Sequence, residues 1–121
     1  MHELSIAYNL VEIAADAVSA ADAQDVKSVH VRIGALAGVV EDALRFGWDV
    51  AIEGTVLAGA ALIVHAQPVV VDCPACNMQS TLDSVYPLLC PHCLGAVTVV
   101  SGRELELSSI EIVEPERGKM P

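Results

Sequence analysis

Residues 73–93 read CPACNMQSTLDSVYPLLCPHC. The pattern is Cys73-x2-Cys76-x13-Cys90-x2-Cys93, two short knuckles joined by a loop. A CxxC pair turns two thiolates toward one point, and two such pairs complete a tetrahedron around Zn²⁺. The segment from 72 to 99 is too short to bury a useful core of its own, so a metal is expected to carry its folding energy. Two redox dithiols or two small disulfides would use the same residues. A rubredoxin-like iron site is a further option, although that fold wants a wider gap and an aromatic core. Four thiolates fill a coordination shell, which reads as a structural rather than a catalytic site. His92, inside the second knuckle, is either an exposed side chain or a ligand that replaces a protonated thiolate. A knuckle commonly turns through positive φ after its second Cys. Asn77 suits that position, whereas Leu94 pays for it, so Gly95 is expected to take the second turn.

Outward from the knuckles the periodicity changes. Leu4 to Ala20 reads as a helix, with Ile6, Leu10, Ile13, Ala14 and Ala17 on one face. Val26 to Leu36 reads as a strand, in which Val29, Val31 and Ile33 alternate with His30 and Arg32. Gly34 and Gly38 bracket a turn. A second helix starts near Glu41, carries a Leu44, Trp48 and Ile52 stripe, and stops at Gly54. Ala60 to Val71 reads as a second strand and Arg103 to Glu114 as a third. The third strand's alternation slips by one at Ser108 and Ser109, as a bulge would make it do. The order predicts an α+β fold, with two helices packed on a small three-stranded sheet and a zinc-ribbon-like lobe inserted between strands 2 and 3. Residues 1–71 with 100–114 form the body, 72–99 the metal-binding lobe, and 115–121 a flexible tail.

Composition narrows the function. The 121 residues are 54% hydrophobic but only 3% aromatic, so the core must rest on Ala, Val, Leu and Ile, with Trp48, Phe46, Tyr8 and Tyr86 as its large rings. The formal charge of −10 repels phosphate backbones and anionic lipid, which argues against nucleic acid and membrane as partners. The low-charge run from Gly54 to Val71 is interrupted by His65, Gln67 and Pro68 and lacks a basic anchor, so a buried strand fits it better than a membrane span. The acidic start does not read as a signal peptide. A cytoplasmic setting, where thiols stay reduced, favours metal over disulfides. No nucleophile elbow, phosphate loop, dinucleotide fingerprint or HExxH motif is present. His30 and His65 fall on polar strand positions. The residues give no sign of an enzyme.

The chain begins Met1-His2-Glu3. A free Met1 amine, the His2 amide nitrogen and the His2 imidazole can close fused chelate rings on one metal, with Glu3 as a further donor. Such an N/O set suits square-planar Ni(II) or Cu(II).

Several stretches together resemble the hydrogenase nickel-incorporation accessory proteins, the HypA/HybF family. They are MHELSIAYNLVEIA, VRIGALAGVVEDALRFGWDV, EGTVLAGAALIV, the CPAC and CPHC pair, and SGRELELSSIEIVE. The resemblance runs from Met1 to about Glu114. It implies a nickel metallochaperone that delivers Ni(II) during maturation of [NiFe]-hydrogenase. The implied partners are a GTPase accessory protein and the hydrogenase large subunit. It also implies a nickel site at His2 with Met1 and Glu3, and a structural Zn(II) site at Cys73, Cys76, Cys90 and Cys93. Four thiolates around Zn²⁺ would add two negative charges to the chain, which favours a partner with a basic patch. The competing reading is a zinc-ribbon adaptor that joins proteins and never handles nickel.

Overall fold

A computed structural model describes residues 2–23 and 25–113. The elements in chain order are helix α1 (Glu3–Ala20), strand β1 (Val26–Gly34), helix α2 (Glu41–Ala51), and strands β2 (Ala61–Gln67), β3 (Val69–Cys73), β4 (Met78–Leu82), β5 (Thr98–Ser101) and β6 (Leu105–Ile112). Two three-stranded sheets result, ordered β2-β1-β6 and β4-β3-β5. The α+β class is as the sequence predicts. Met1 and the expected tail at 115–121 lie outside the described residues. Among the described residues no helix is long and apolar enough to cross a membrane.

The chain divides into two compact units. One takes the stretches up to Val31, from Val40 to Ile63, and from Leu107 onward; the other takes Arg32–Val39 and Val64–Glu106. In the first unit α1 packs on α2. The Leu44, Trp48 and Ile52 stripe is buried as its spacing predicts, together with Val29, Val31, Leu57 and Leu62. Helix α1 differs from expectation. Its buried residues are Ala7, Leu10, Val11, Ala14 and Val18, while Ile13 is exposed. The cause is the α2 contact. A Cβ added at Gly47 would lie 3.2 Å from the Leu4 Cα and 3.3 Å from the Ala7 Cβ, so the helices meet small residue to small residue. That contact turns the Ala7 side of α1 inward. Leu10 and Ala14 are buried as expected, but because α1 has apolar residues around much of its circumference, periodicity places the face off toward Ile13 and Ala17, which are exposed.

Of the four large rings only Trp48 is core, at 1% exposed; Tyr8, Phe46 and Tyr86 are all exposed. The Trp48 indole N–H donates to the Ala60 carbonyl at 3.1 Å, which fixes the loop after α2 against the helix. Buried Ser28 of β1 donates to the Glu111 carboxylate of β6, and the same oxygen lies 3.1 Å from His30 Nε2. These two bonds, Ser28 first, hold the Glu111 carboxyl below its ordinary value. Leu107 and Ile110 are the half-buried apolar residues of β6, an interval of three that strict alternation would not give.

The expected strand from Ala60 to Val71 is two strands in different sheets, β2 and β3, broken at Pro68. Proline brings no N–H to a ladder, which makes it a natural point for the chain to leave one sheet and start another. In the second unit Gly34 sits against Gly102 so closely that an added Cβ would be 2.0 Å from the Gly102 oxygen. The Leu36 N–H bonds that same oxygen at 2.7 Å. From Val69 onward alternate residues Val69, Val71 and Cys73 are buried, so strand periodicity itself points the first cysteine inward.

Trp48→Ala should cost about 3–5 kcal/mol, since it removes a fully buried ring and strips the Ala60 carbonyl of its donor. Urea denaturation followed by circular dichroism measures it. A loss below about 1 kcal/mol would contradict the core assignment.

Candidate metal sites

The first knuckle is the turn between β3 and β4. Cys73 ends β3, Met78 opens β4 directly opposite it, and the Asn77 N–H closes the turn on the Cys73 carbonyl at 2.7 Å. The Cys76 N–H points at Cys73 Sγ at 3.4 Å. Asn77 takes positive φ as expected, at 55°. The second knuckle corrects the expectation. Leu94, not Gly95, occupies the left-handed region, at φ 62°. Its N–H closes on the Cys90 carbonyl at 2.9 Å, and the Cys90 N–H returns to the Gly95 carbonyl at 3.0 Å. With that frame set, the N–H groups of His92 and Gly95 lie 3.4 and 3.3 Å from Cys90 Sγ and Cys93 Sγ. Both knuckles therefore aim backbone donors at sulfur, an arrangement that stabilises thiolate.

The four sulfurs converge. All lie within 4.8 Å of one another. Cys73 to Cys93 measures 3.6 Å and Cys76 to Cys90 measures 3.9 Å, each pair taking one sulfur from each knuckle. Metal–sulfur bonds of about 2.3 Å at tetrahedral angles give sulfur–sulfur edges of about 3.8 Å. A disulfide needs about 2.05 Å, and two separate dithiols have no reason to meet at one centre. The donor set thus fits one tetrahedral metal ion. His92 is exposed and is not among the converging groups.

The thiols do not ionise alike. Cys90 is drawn down to about 6, first by the backbone N–H groups of Cys93 and His92. Cys76 is pushed up to about 12, first by its hydrogen bonds with Cys93 and Cys90. Cys93 is also raised: the Gly95 N–H pulls it down, but Cys73, Cys90 and burial together outweigh that pull. A cation entering the cluster must therefore displace the protons that the thiols still hold.

At the other candidate site His2 is exposed and stands at the N-cap of α1 without making a side-chain cap bond. Glu3 is the first residue of α1, and its Oε2 accepts the Val40 N–H at 3.1 Å, at the N-cap of α2. This bond is the main reason its carboxyl is held below the ordinary value. One carboxylate oxygen of Glu3 is thus committed to joining the starts of the two helices. His2, Glu3 and Leu4 line a shallow depression with Ala43, Phe46 and Gly47 of α2. These α2 residues escaped the sequence reading, although a glycine inside a helix and a phenylalanine off the apolar stripe were the available signals.

Comparison with known proteins adds to this geometry. The family model described as "Hydrogenase/urease nickel incorporation, metallochaperone, hypA" matches residues 1–112, and the chain belongs to that family. The hydrogenase maturation factor HypA of Chloroflexus aurantiacus is 54% identical over 112 residues, covering 92% of this chain and 98% of the relative. The protein of the same name from Roseiflexus sp. is 47% identical over 112 residues, covering 92% and 91%. The solution structure of the Ni metallochaperone HypA from Helicobacter pylori shares the fold at a TM-score of 0.67 and 20% identity, over 95% of this chain and all of that one. A second HypA solution structure gives a TM-score of 0.70 at 22% identity, over 93% and 97%.

Cys73→Ser should abolish stoichiometric metal binding and expose residues 74–95 to thermolysin, while the helical circular dichroism of the first unit survives. Metal analysis with mass-mapped cleavage sites checks this. A full equivalent of metal in the variant would contradict it. The Glu3 bond carries a pH signature. Its carboxyl is depressed in the fold, so the stabilisation is present above the ordinary carboxylate value and is lost as pH falls through the lower folded value. The protection factor of the Val40 amide, its exchange rate corrected for the intrinsic pH dependence, should fall across that acid window, and Glu3→Gln should remove that fall.

Proposed function

We propose that this chain is a nickel carrier for [NiFe]-hydrogenase maturation, with Ni(II) held at the Met1-His2-Glu3 start and Zn(II) held by Cys73, Cys76, Cys90 and Cys93. The observation that carries the reading is the state of His2 within a chain of this family: it is exposed and spends no side-chain bond on capping α1. The neighbouring Glu3 is pinned to Val40. The imidazole is thereby offered from a fixed point on the surface. A carrier needs such a site, because cargo must leave as well as arrive. Nickel is the cargo, taken by the His2 imidazole with backbone nitrogen and the Met1 amine in plane. Glu3 retains Oε1 as a donor. The imidazole must be neutral to coordinate, so binding weakens toward acid pH.

Zinc in the thiolate cluster would supply folding energy to the lobe, with no open position for catalysis. The chain then acts as a carrier rather than an enzyme. In this reading it works in the cytoplasm with a GTPase accessory protein and passes nickel toward the hydrogenase large subunit. The net charge of −10 supports partners with basic surfaces over nucleic acid or membrane.

Three proteins test the proposal by calorimetric nickel titration: the untagged chain, the chain with a Gly-Ser extension ahead of Met1, and His2→Ala. The untagged protein should bind one removable nickel beside one tight zinc. His2→Ala should lose the nickel and keep the zinc, and the extension should weaken nickel nearly as much. Zinc with no nickel in the untagged protein would favour the adaptor reading. Undiminished nickel binding by the extended protein would remove the amine from the ligand set.

A further inference from the structure

The loop that leads into the second knuckle forms a surface for which metal binding has no use. Leu82, Tyr86, Leu89 and Leu94 line an open apolar cleft, with Cys90 in its wall. Tyr86 is 80% exposed and Leu94 is 70% exposed. Leu94 is anomalous in a second, independent way, since it holds φ 62°. Left-handed backbone is costly for a branched, bulky residue and nearly free for Gly or Asn. The first knuckle fills the equivalent position with Asn77, and Gly95 stands next in the chain. Neither folding nor metal binding calls for leucine here. The knuckle's hydrogen bonds set the left-handed backbone but do not call for a leucine in it; keeping one there places an apolar side chain in water at a conformational cost, and strain of that kind clusters at functional sites.

Electrostatics define what the cleft receives. Between Arg45 and Arg103 the chain has no Lys or Arg at all, while Asp83 lines the cleft. Four thiolates around a divalent ion add two further negative charges beside it. A neutral apolar peptide would gain only area. A segment with Lys or Arg on either side of its apolar anchor would gain area and charge together, and no Lys or Arg lines the cleft to oppose it.

We propose that this cleft docks a partner protein through an apolar side chain flanked by Lys or Arg, with Leu94 as the central contact. The cleft shares no residue with the nickel start, and the proposal stands whether or not nickel binds at His2.

The test uses the metal-loaded full chain, isotopically labelled for amide NMR. The probes are a short synthetic peptide with a central Leu-Phe pair flanked by Lys, and its twin with Glu replacing each Lys. The Lys peptide should shift the amides of Tyr86, Leu89 and Leu94 in a saturable way, and rising salt should weaken it. The Glu twin should bind at least ten-fold more weakly. Leu94→Asn, which keeps a residue tolerant of left-handed backbone, should weaken the Lys peptide at least ten-fold and leave metal stoichiometry unchanged. Equal binding of the twins, shifts located elsewhere, or no shift at about millimolar peptide would each overturn the proposal. So would a dimer seen by sedimentation that Leu94→Asn dissolves, which would assign the cleft to a second copy. If Leu94→Asn loses metal, Leu94→Gly carries the same comparison. Loss of metal from both would make the side chain structural and end the proposal.

Discussion

Four cysteine sulfurs gathered within 4.8 Å are the constraint on which the second unit depends. That unit has little apolar material of its own: its fully buried side chains are Val69, Val71, Cys73 and Cys90, and half of these are the converging thiols. In a segment so poor in core, the centre of the fold and the candidate metal site are the same place. The backbone is arranged for it. Strand alternation turns Cys73 inward, the β3–β4 turn brings Cys76 round, and the two N–H groups of the second knuckle face sulfur. With a cation bound there, a lobe built this way would be as stable as that cation is tightly held.

The first unit solves a different problem with different means. Its core is a conventional packing of aliphatic side chains around Trp48, and its helices approach closely because Gly47 meets Ala7. That contact brings the first turn of α1 beside the first turns of α2, where Glu3 takes the Val40 N–H. Packing in the helix pair thus has a direct consequence for the candidate nickel site. The position of His2 is inherited from a glycine more than forty residues away.

Much of this was legible in the amino-acid sequence because some signals have only one structural answer. Paired CxxC at this spacing favours convergence on one metal over separate dithiols, and Leu44, Trp48 and Ile52 fall on one helical face at any reasonable register. Other features were hidden for definite reasons. The α1 face was ambiguous because apolar residues surround much of the helix, and a glycine in another element decided it. Phe46, Tyr8 and Tyr86 were counted with the core because large rings usually are buried, yet nothing in local periodicity reports where the partner surface lies. The break at Pro68 is masked because apolar residues lie on both sides of it, Leu62 to Val64 before and Val69 to Val71 after. The positive φ at Leu94 was the least accessible, since it contradicts the residue's own preference and is imposed by the knuckle's hydrogen bonds. The Glu3 to Val40 bond joins residues far apart in sequence and leaves no pattern in either.

The placement of the aromatic residues also determines what light can report about this molecule. Trp48 is the sole tryptophan and is sealed in the helical core of the first unit, while Tyr86 stands in water on the loop of the second. Indole emission therefore reports directly on the helical core around it and carries no direct signal from the cysteine lobe. Loss of the metal would pass unseen in a tryptophan trace that looks like a single clean transition. An apparent two-state melt of this chain by fluorescence would describe one unit only. The state of the lobe has to be followed through a separate signal, such as the thiolate-to-metal absorbance or the accessibility of the thiols themselves.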